Sequence, residues 1–383
     1  MRCDVLVIGG GAAGLAAAAR LRRHAPELAV TVADASPDHV YRPWLVFLPW
    51  ERVPAASLRV GLADFAREHG FTFRNGKVEA VDVAARTARI AGEDVEFRAV
   101  VVATGAPADR DAVPGAREHA LFPCDPSDAE TLAARLADGR RDLVLILTGE
   151  RVGPGVEYAA WIAEGAVRAG KELRVTVVGD ETAMSSYLGA RATRVFAAKL
   201  AKWRGGYRPG TVKQIDATGV WLTEGDFLPA DQIAVVGPLA APDTGLPDET
   251  LDPAGFLVVD DTFRSPRHEC LFGAGDTITV PGQKWRRSWL LSVSQAERAA
   301  DNVVAALRGG DLQPFDPAIG RRLARTSVPD LAGSALLIVN QRLLASGRWV
   351  HWLRVRMDRL HFARYGVPGR PAVRRPGRVR GAR

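Results

Sequence analysis

Val5-Leu6-Val7-Ile8-Gly9-Gly10-Gly11-Ala12-Ala13-Gly14-Leu15 runs from four aliphatic residues through a glycine turn into an alanine- and leucine-rich segment. The spacing predicts a buried strand, a tight loop and a helix, the opening of a doubly wound α/β fold. Gly9, Gly11 and Gly14 supply the turn, the close approach of backbone to a pyrophosphate, and the helix–strand contact. Ala12 and Ala13 open the helix, whose unpaired N–H groups and partial positive charge suit that phosphate. The next aliphatic strand, Val30-Thr31-Val32-Ala33, ends at Asp34, twenty residues past Gly14. A carboxylate there accepts ribose hydroxyls and disfavours a 2′-phosphate. Strand, loop, helix and spaced acid together point to a bound dinucleotide, with Asp34 and Ala35 beside its ribose.

The pattern then repeats. An aromatic, proline-containing segment, Tyr41–Trp50, is followed by short alternating strands near 72–73, 77–81 and 87–90. Ala99-Val100-Val101-Val102-Ala103-Thr104-Gly105 reads as a buried parallel strand ending in a small-residue turn. A second strand–helix–strand unit runs through Leu143–Leu147, a helix over 156–169, and Arg174–Val178. The first unit resumes with Phe256–Asp260, with Cys270-Leu271-Phe272-Gly273-Ala274-Gly275-Asp276, and with a helix over 290–308. The fold class is therefore α/β, with two Rossmann-like dinucleotide-binding domains, the second inserted in the first, and a C-terminal amphipathic helical region. The expected divisions are 1–115 and 246–325 for the first domain, 116–245 for the insert, and 326–383 for the C-terminal region.

Ala103-Thr104-Gly105 together with the late Gly273-Ala274-Gly275-Asp276 resembles the flavoproteins built from two dinucleotide-binding domains. The resemblance implies FAD, with Asp276 holding a ribityl hydroxyl. Arg42 joins Gly9, Gly11, Ala12, Ala13, Gly14, Asp34, Ala35, Ala103, Thr104, Gly105, Gly275 and Asp276 as candidate cofactor contacts. The helix after Asp276 would aim its N-terminus at the flavin pyrimidine edge, where negative charge develops on reduction.

Ser346-Gly347-Arg348-Trp349-Val350-His351-Trp352 and Gly153-Pro154-Gly155-Val156-Glu157-Tyr158-Ala159 narrow this. They resemble motifs of the sulfide:quinone oxidoreductase branch of the FAD-dependent pyridine nucleotide-disulfide oxidoreductases, to which type II NADH dehydrogenases are related. That resemblance implies electron transfer from a small donor through FAD to a quinone. It also implies persulfide-carrying cysteines, and two of the expected positions depart. Arg151 or Val152 stands at one, and Ser327, in Ser327-Val328-Pro329-Asp330, at the other. Serine forms no persulfide. Cys124, just before a helix capped by Asp125 with Pro126 at its first position, matches a third family cysteine. Cys124 and Glu157 are the candidate catalytic residues, Glu157 as a proton shuttle.

Sulfide and NADH both stay open as donors. The second loop, Thr148–Gly155, keeps no regular GxGxxG frame, and Gly179 stands where the first unit has Asp34; Asp180 follows. These departures favour a degenerate nucleotide fold over a working NADH site. The alternatives are an NADH:quinone oxidoreductase and a non-catalytic FAD-binding redox sensor.

Cys3, Cys124 and Cys270 form neither a CxxC nor a metal-ligand pattern, and Cys3 and Cys270 read as inert core thiols. Of the net +7, residues 331–383 carry +11, from twelve Arg and the single acid Asp358, so residues 1–330 carry −4. Basic character belongs to the C-terminal region. There Trp349, Trp352, Leu353, Leu360 and Ala363 interleave with Arg348, Arg354, Arg356, Arg359 and Arg364 at helical spacing, with apolar area added by 336–339 and 343–344. The pattern suits the anionic surface of a membrane. A contact between two copies of the chain and a solvated end are the competing readings, and no nucleic-acid recognition fold accompanies the tail. No apolar run reaches the ~18 residues of a span. The glycine loop begins too early for a signal peptide. The expected place is cytoplasmic, peripheral on the inner face of the inner membrane.

Overall fold

The computed structural model describes residues 1–149, 152–283 and 285–364. Arg151 and the terminal arginines Arg370 to Arg383 lie outside the described residues, as do the side chains of Leu360, Ala363 and Arg364. The chain divides into two units. Met1–Val40, Arg59–Pro107 and Ala240–Ala324 form the first, and Tyr41–Leu58, Ala108–Leu239 and Arg325–Arg383 the second. The aromatic segment 41–58, grouped by sequence with the first domain, therefore belongs with the insert, as does the C-terminal region.

In the first unit β1 (Val5–Ile8), α1 (Ala12–His24), β2 (Val30–Asp34), β3 (Thr72–Asn75) and β4 (Ala99–Val102) follow the predicted order. After the insert comes a further strand, Leu271–Gly273, which closes a five-stranded sheet next to β4. Its order is Leu271–Gly273, β4, β1, β2, β3, and every pairing is parallel. All four residues of β1 and of β4 are buried, because a parallel sheet is covered on both faces. The helix Trp289–Leu307 packs on α1. Ala16, Ala17 and Ala18 on one side and Ala296, Ala299 and Ala300 on the other are buried, small enough for close approach. Arg20 fastens the pair through two bonds to Asp301, at 2.8 and 2.9 Å.

The second unit contains α2 (Pro126–Ala137), β5 (Asp142–Leu147), α3 (Val152–Arg168), β6 (Arg174–Gly179), α4 (Glu181–Leu188), β7 (Gly206–Pro209) and β8 (Gln232–Val236). Its sheet, ordered β7-β6-β5-β8, is also parallel throughout. In chain order the first unit's returning strand is β9 (Leu271–Gly273) and its helix α5 (Trp289–Leu307). The second unit is completed by β10 (Thr326–Ser327), β11 (Ala335–Val339), β12 (Arg342–Gly347) and α6 (Arg348–Arg364). The last three strands form an antiparallel sheet.

Helix α3 is buried almost all round, from Val152 to Ala166. It packs against the sheet and against the turns Arg42–Phe47 and Pro49–Glu51. A helix so enclosed must also bury its polar residues, here Glu157 and Glu164. It begins at Val152, four residues earlier than expected. Gly153, Pro154 and Gly155 therefore lie inside its first turns, where proline's missing N–H costs nothing. Leu336 and Ile338 of β11 are core residues, correcting their expected place in an outer apolar face, whereas Leu344 of β12 is exposed. No helix among the described residues is long and apolar enough to cross a membrane.

Candidate functional sites in the two units

In the first unit the C-terminal ends of β1, β2, β4 and β9 carry the predicted cofactor residues. A side chain at Gly14 would collide with the Gly9 carbonyl, and one at Gly9 (φ +109°) with the Ala103 carbonyl. These two glycines seat α1 against β1 and β4. Gly11 differs: a Cβ there meets nothing. Its backbone borders open space at the start of α1, where the pyrophosphate of a dinucleotide is bound. Gly105 (φ +70°) likewise faces open space. Asp34 is held in place by backbone amides, Gly10 N–H donating to Oδ2 at 2.6 Å and Ser36 N–H to Oδ1 at 2.7 Å. Its remaining lone pairs are available to ribose hydroxyls.

Asp276 accepts a long bond from Ser292 Oγ, 3.4 Å, and the Gly275 N–H donates to Gln295 Oε1 at 3.1 Å. Both partners stand on α5, which Ser288 caps by accepting from the Leu291 N–H. Thr104 Oγ1 donates to Thr277 Oγ1 at 3.1 Å, tying the β4 turn to the turn after β9. The cradle thus fits FAD: small residues where it must approach, carboxylates for its hydroxyls, a capped helix start. Gln295, Ser292 and Thr277 were missed in the sequence: the first two support the turn at 275–276 from the following helix, 20 and 16 residues on, and Thr277 meets Thr104 across 173 positions, and no local pattern marks such partners. Cys3 is buried, which pushes its thiol up to about 11. Burial also raises the Cys270 thiol. Neither is poised to react.

In the second unit Glu157 is buried on α3. Arg354 of α6 donates to both carboxylate oxygens, Nη1 to Oε1 and Nη2 to Oε2, the latter at 2.9 Å. The Asp330 N–H adds a third bond to Oε1 at 3.0 Å. Asp330 is itself buried. It accepts from Gly333 N–H at 2.9 Å and pairs with His351 Nδ1 at 2.6 Å. Behind Arg354 stands Asp358, 3.8 Å away, accepting from the Tyr41 hydroxyl and the Trp44 indole at 3.3 and 3.1 Å. Burial pushes the Glu157 carboxyl up to about 7; Arg354 pulls it down, and the Asp330 charge adds to the rise. An acid poised near neutrality can both take and give a proton. Arg354 thus leaves the basic outer face expected for it. Arg354, Asp330 and His351 were missed because their roles depend on a helix nearly two hundred residues from Glu157.

Cys124 is half-buried before α2, and the neighbouring Pro123 carbonyl accepts from the Tyr158 hydroxyl at 2.6 Å. Asp125 stands at the N-cap position of α2 without a side-chain cap bond. It pairs instead with Arg110 at 3.3 Å and Arg42 at 3.7 Å. Arg42 therefore lies in the second unit, while the other candidate cofactor contacts lie in the first. Ser327 is buried and its hydroxyl has no hydrogen-bond partner. Val152, at one expected thiol position, is fully buried.

In this second unit the glycines of the corresponding loop and strand are packed by side chains. A side chain at Gly153 would collide with the Tyr187 hydroxyl. Asp180 caps α4, accepting from Thr182 N–H at 2.7 Å. Gly179 is packed by Met184 and Tyr207.

Parallel sheets, a glycine cradle at the strand ends and a paired second unit define a dinucleotide-binding flavoprotein class. Residues 3–302 match the pyridine nucleotide-disulphide oxidoreductase family, and the chain belongs to it. It is similar to the sulfide-quinone reductase of Aquifex aeolicus (strain VF5), 23% identical over 399 residues, covering 94% of this chain and 90% of that one. The mitochondrial sulfide:quinone oxidoreductase of Mus musculus is 21% identical over 307 residues, covering 73% and 67%. The crystal structure of the sulfide:quinone oxidoreductase from Aquifex aeolicus superposes with a TM-score of 0.82 at 21% identity, covering 94% of this chain and 91% of that one. The protein is an FAD-dependent oxidoreductase resembling this branch.

Proposed function

We propose that this protein passes two electrons from a small donor to a quinone at a membrane surface, with Glu157 handling protons. The outward face of α6 carries the reading. Trp349, Trp352, Leu353 and Met357 are exposed, as is Leu344 on β12, while His351, Arg354 and Asp358 of the same helix turn inward. The helix is inverted relative to one made for water. Tryptophan at such a face settles at headgroup depth, and exposed Arg348, Arg356 and Arg359 meet anionic lipid, at about 1 kcal/mol per engaged charge. Quinones partition into lipid, so this face brings the protein to its acceptor. The membrane is the anionic cytoplasmic face of the inner membrane, met through residues 331–383.

The two-electron chemistry belongs to the FAD held by the first unit. Gly9, Gly11, Gly14, Asp34, Thr104, Gly105 and Asp276 would hold it, orienting its phosphates and hydroxyls. Each turnover removes an electron pair from the donor and delivers it, with two protons, to the quinone, giving the hydroquinone. Ser327 in place of one expected thiol leaves Cys124 as the thiol where a reduced sulfur donor would react: the donor sulfur would bond to Cys124 Sγ with loss of two S–H protons, and the two electrons released would be taken by the FAD. NADH is the less supported donor, since the second loop keeps no GxGxxG frame and Asp180 is engaged as the cap of α4.

Anaerobic stopped-flow absorbance of the holoprotein tests this. Sulfide is expected to bleach the oxidised flavin band, and Cys124→Ser to abolish that bleaching. Fast bleaching by NADH would overturn the choice of donor and make the protein an NADH:quinone oxidoreductase. Bleaching by neither would favour a redox sensor that keeps FAD without turnover. In sedimentation with phosphatidylglycerol vesicles, Trp349→Ser/Trp352→Ser should release the protein. Retention would remove the membrane role, and concentration-dependent light scattering abolished by the same pair would assign this face to a homodimer.

A further inference from the structure

Helix α6 has two faces with separate chemistry. Of its residues 348–359, Val350 alone is buried to the level of the core. The rest of its inner face is half-buried and mostly polar, with Arg354 on Glu157, His351 on Asp330, Asp358 on Tyr41 and Trp44, and Val355 the apolar exception. The helix packs on β11 and β12 and is joined to α3 through the Arg354–Glu157 ion pair. Such a seat depends on the charge state of what lies beneath it and on what presses from outside. Outside lies the tryptophan face.

We propose that α6 couples contact with a lipid surface to the charge state of Glu157, with Arg354 as the positioning residue that transmits it. The proposal rests on the membrane reading above. When α6 is seated, the guanidinium holds both carboxylate oxygens and favours the anion. When α6 lifts, a buried carboxylate loses its two-point cation partner and favours the protonated form. Lipid bound to the outer face favours the seated state, and by linkage ionisation of Glu157 favours lipid binding.

The other groups around the acid do not replace Arg354. From the loop after β10, Asp330 gives an N–H but also a like charge, partly answered by His351. Lys199 of the 190–202 helix and Arg52 of the 41–58 segment act on Asp330. Tyr41, from the same segment, and Tyr158, the neighbour on α3, are kept neutral by burial. Asp358 acts on Arg354 from behind. Lifting α6 withdraws Arg354, His351 and Asp358 together and leaves Glu157 beside Asp330.

Infrared difference titration of the holoprotein tests the coupling without calling on turnover, with Glu157→Gln assigning the carboxyl band. Phosphatidylglycerol vesicles should lower the protonation midpoint of Glu157, whereas phosphatidylcholine vesicles should lower it less. Arg354→Met should raise the midpoint by about 1–3 pH units and abolish the vesicle effect, and Arg354→Lys should restore part of it. Trp349→Ser/Trp352→Ser should remove the vesicle effect and leave the midpoint of the free protein unchanged. An unmoved midpoint in the wild-type protein with vesicles bound would overturn the proposal, as would failure to bind vesicles. If Arg354→Met does not fold, the wild-type titration and Arg354→Lys still decide. A vesicle-dependent midpoint in a protein that no donor reduces would leave the coupling standing and sink the electron-transfer reading.

Discussion

Gly11 and Gly14 share one motif and do different jobs. The space at Gly14 is filled by the Gly9 carbonyl, so glycine is required there by packing; the space at Gly11 is open, so packing makes no such demand and the proposed dinucleotide would. Gly14→Ala should destabilise the protein by about 1–3 kcal/mol with or without cofactor. Gly11→Ala should leave the apoprotein's urea midpoint unchanged and weaken FAD binding, seen by flavin fluorescence titration. Equal loss of stability in the two variants would contradict the division. Glu157 gives a residue-scale prediction of sign. Its carboxyl moves from an ordinary 4.5 to about 7 in the folded protein, so the fold binds the proton more tightly than the unfolded chain does. Its contribution is fully present below about pH 4.5 and lost as pH rises through about 7. Chemical denaturation of Glu157→Gln between these values should show a flatter fall in stability than the wild type.

At the scale of the element, α3 depends on the segment that wraps it. Arg52 reaches Glu164 as a buried ion pair and lies over the Trp161 ring at 4.6 Å, while Trp50 donates its indole N–H to the Ile162 carbonyl at 3.1 Å. A side chain at Gly165 would collide with the Trp50 ring. Arg168, one turn on, also pairs with Glu164, so removing Arg52 leaves the buried carboxylate with a single cation. Arg52→Met should cost about 1–3 kcal/mol in urea unfolding, and Arg52→Met/Glu164→Leu should recover most of it. No recovery would mean that Arg52 stabilises through the aromatic contact instead. Helix α6 is the element least legible from sequence. Its period and composition gave an amphipathic helix with aromatics outward, and the structure has that. Periodicity did not distinguish Arg354 from its exposed neighbours, because an arginine that pairs with a carboxylate inside looks the same in sequence as one that meets water.

At the scale of the molecule, the FAD contacts predicted from sequence fall in the first unit, with Arg42 the exception, while Cys124 and Glu157 fall in the second. FAD should therefore stabilise selectively. At about a hundredfold excess over its dissociation constant the gain is about 2.7 kcal/mol. Hydrogen exchange should slow chiefly in β1, α1, β4 and α5, and matching protection in β5 and β6 would contradict the assignment. Much of the alternating architecture was open to sequence reading because β1, β4, β5, β6 and β8 are short aliphatic runs that end at or near a glycine, whereas β3 and β7 are not aliphatic. The 41–58 segment was misplaced because chain order is silent about which unit an irregular stretch joins.

The sequence by itself determined the dinucleotide cradle and raised the expectation that two sulfur positions depart from the family pattern. Those features are local: a glycine spacing, an acid after a strand, a serine where a thiol is expected. Only the tertiary structure decided that Glu157 is buried and clamped, that α6 turns His351, Arg354 and Asp358 inward, and that Tyr187 packs on Gly153 while Asp180 caps α4. Each of these depends on side chains brought together by folding, and on burial, which turns an ordinary glutamate into an acid poised near neutral pH.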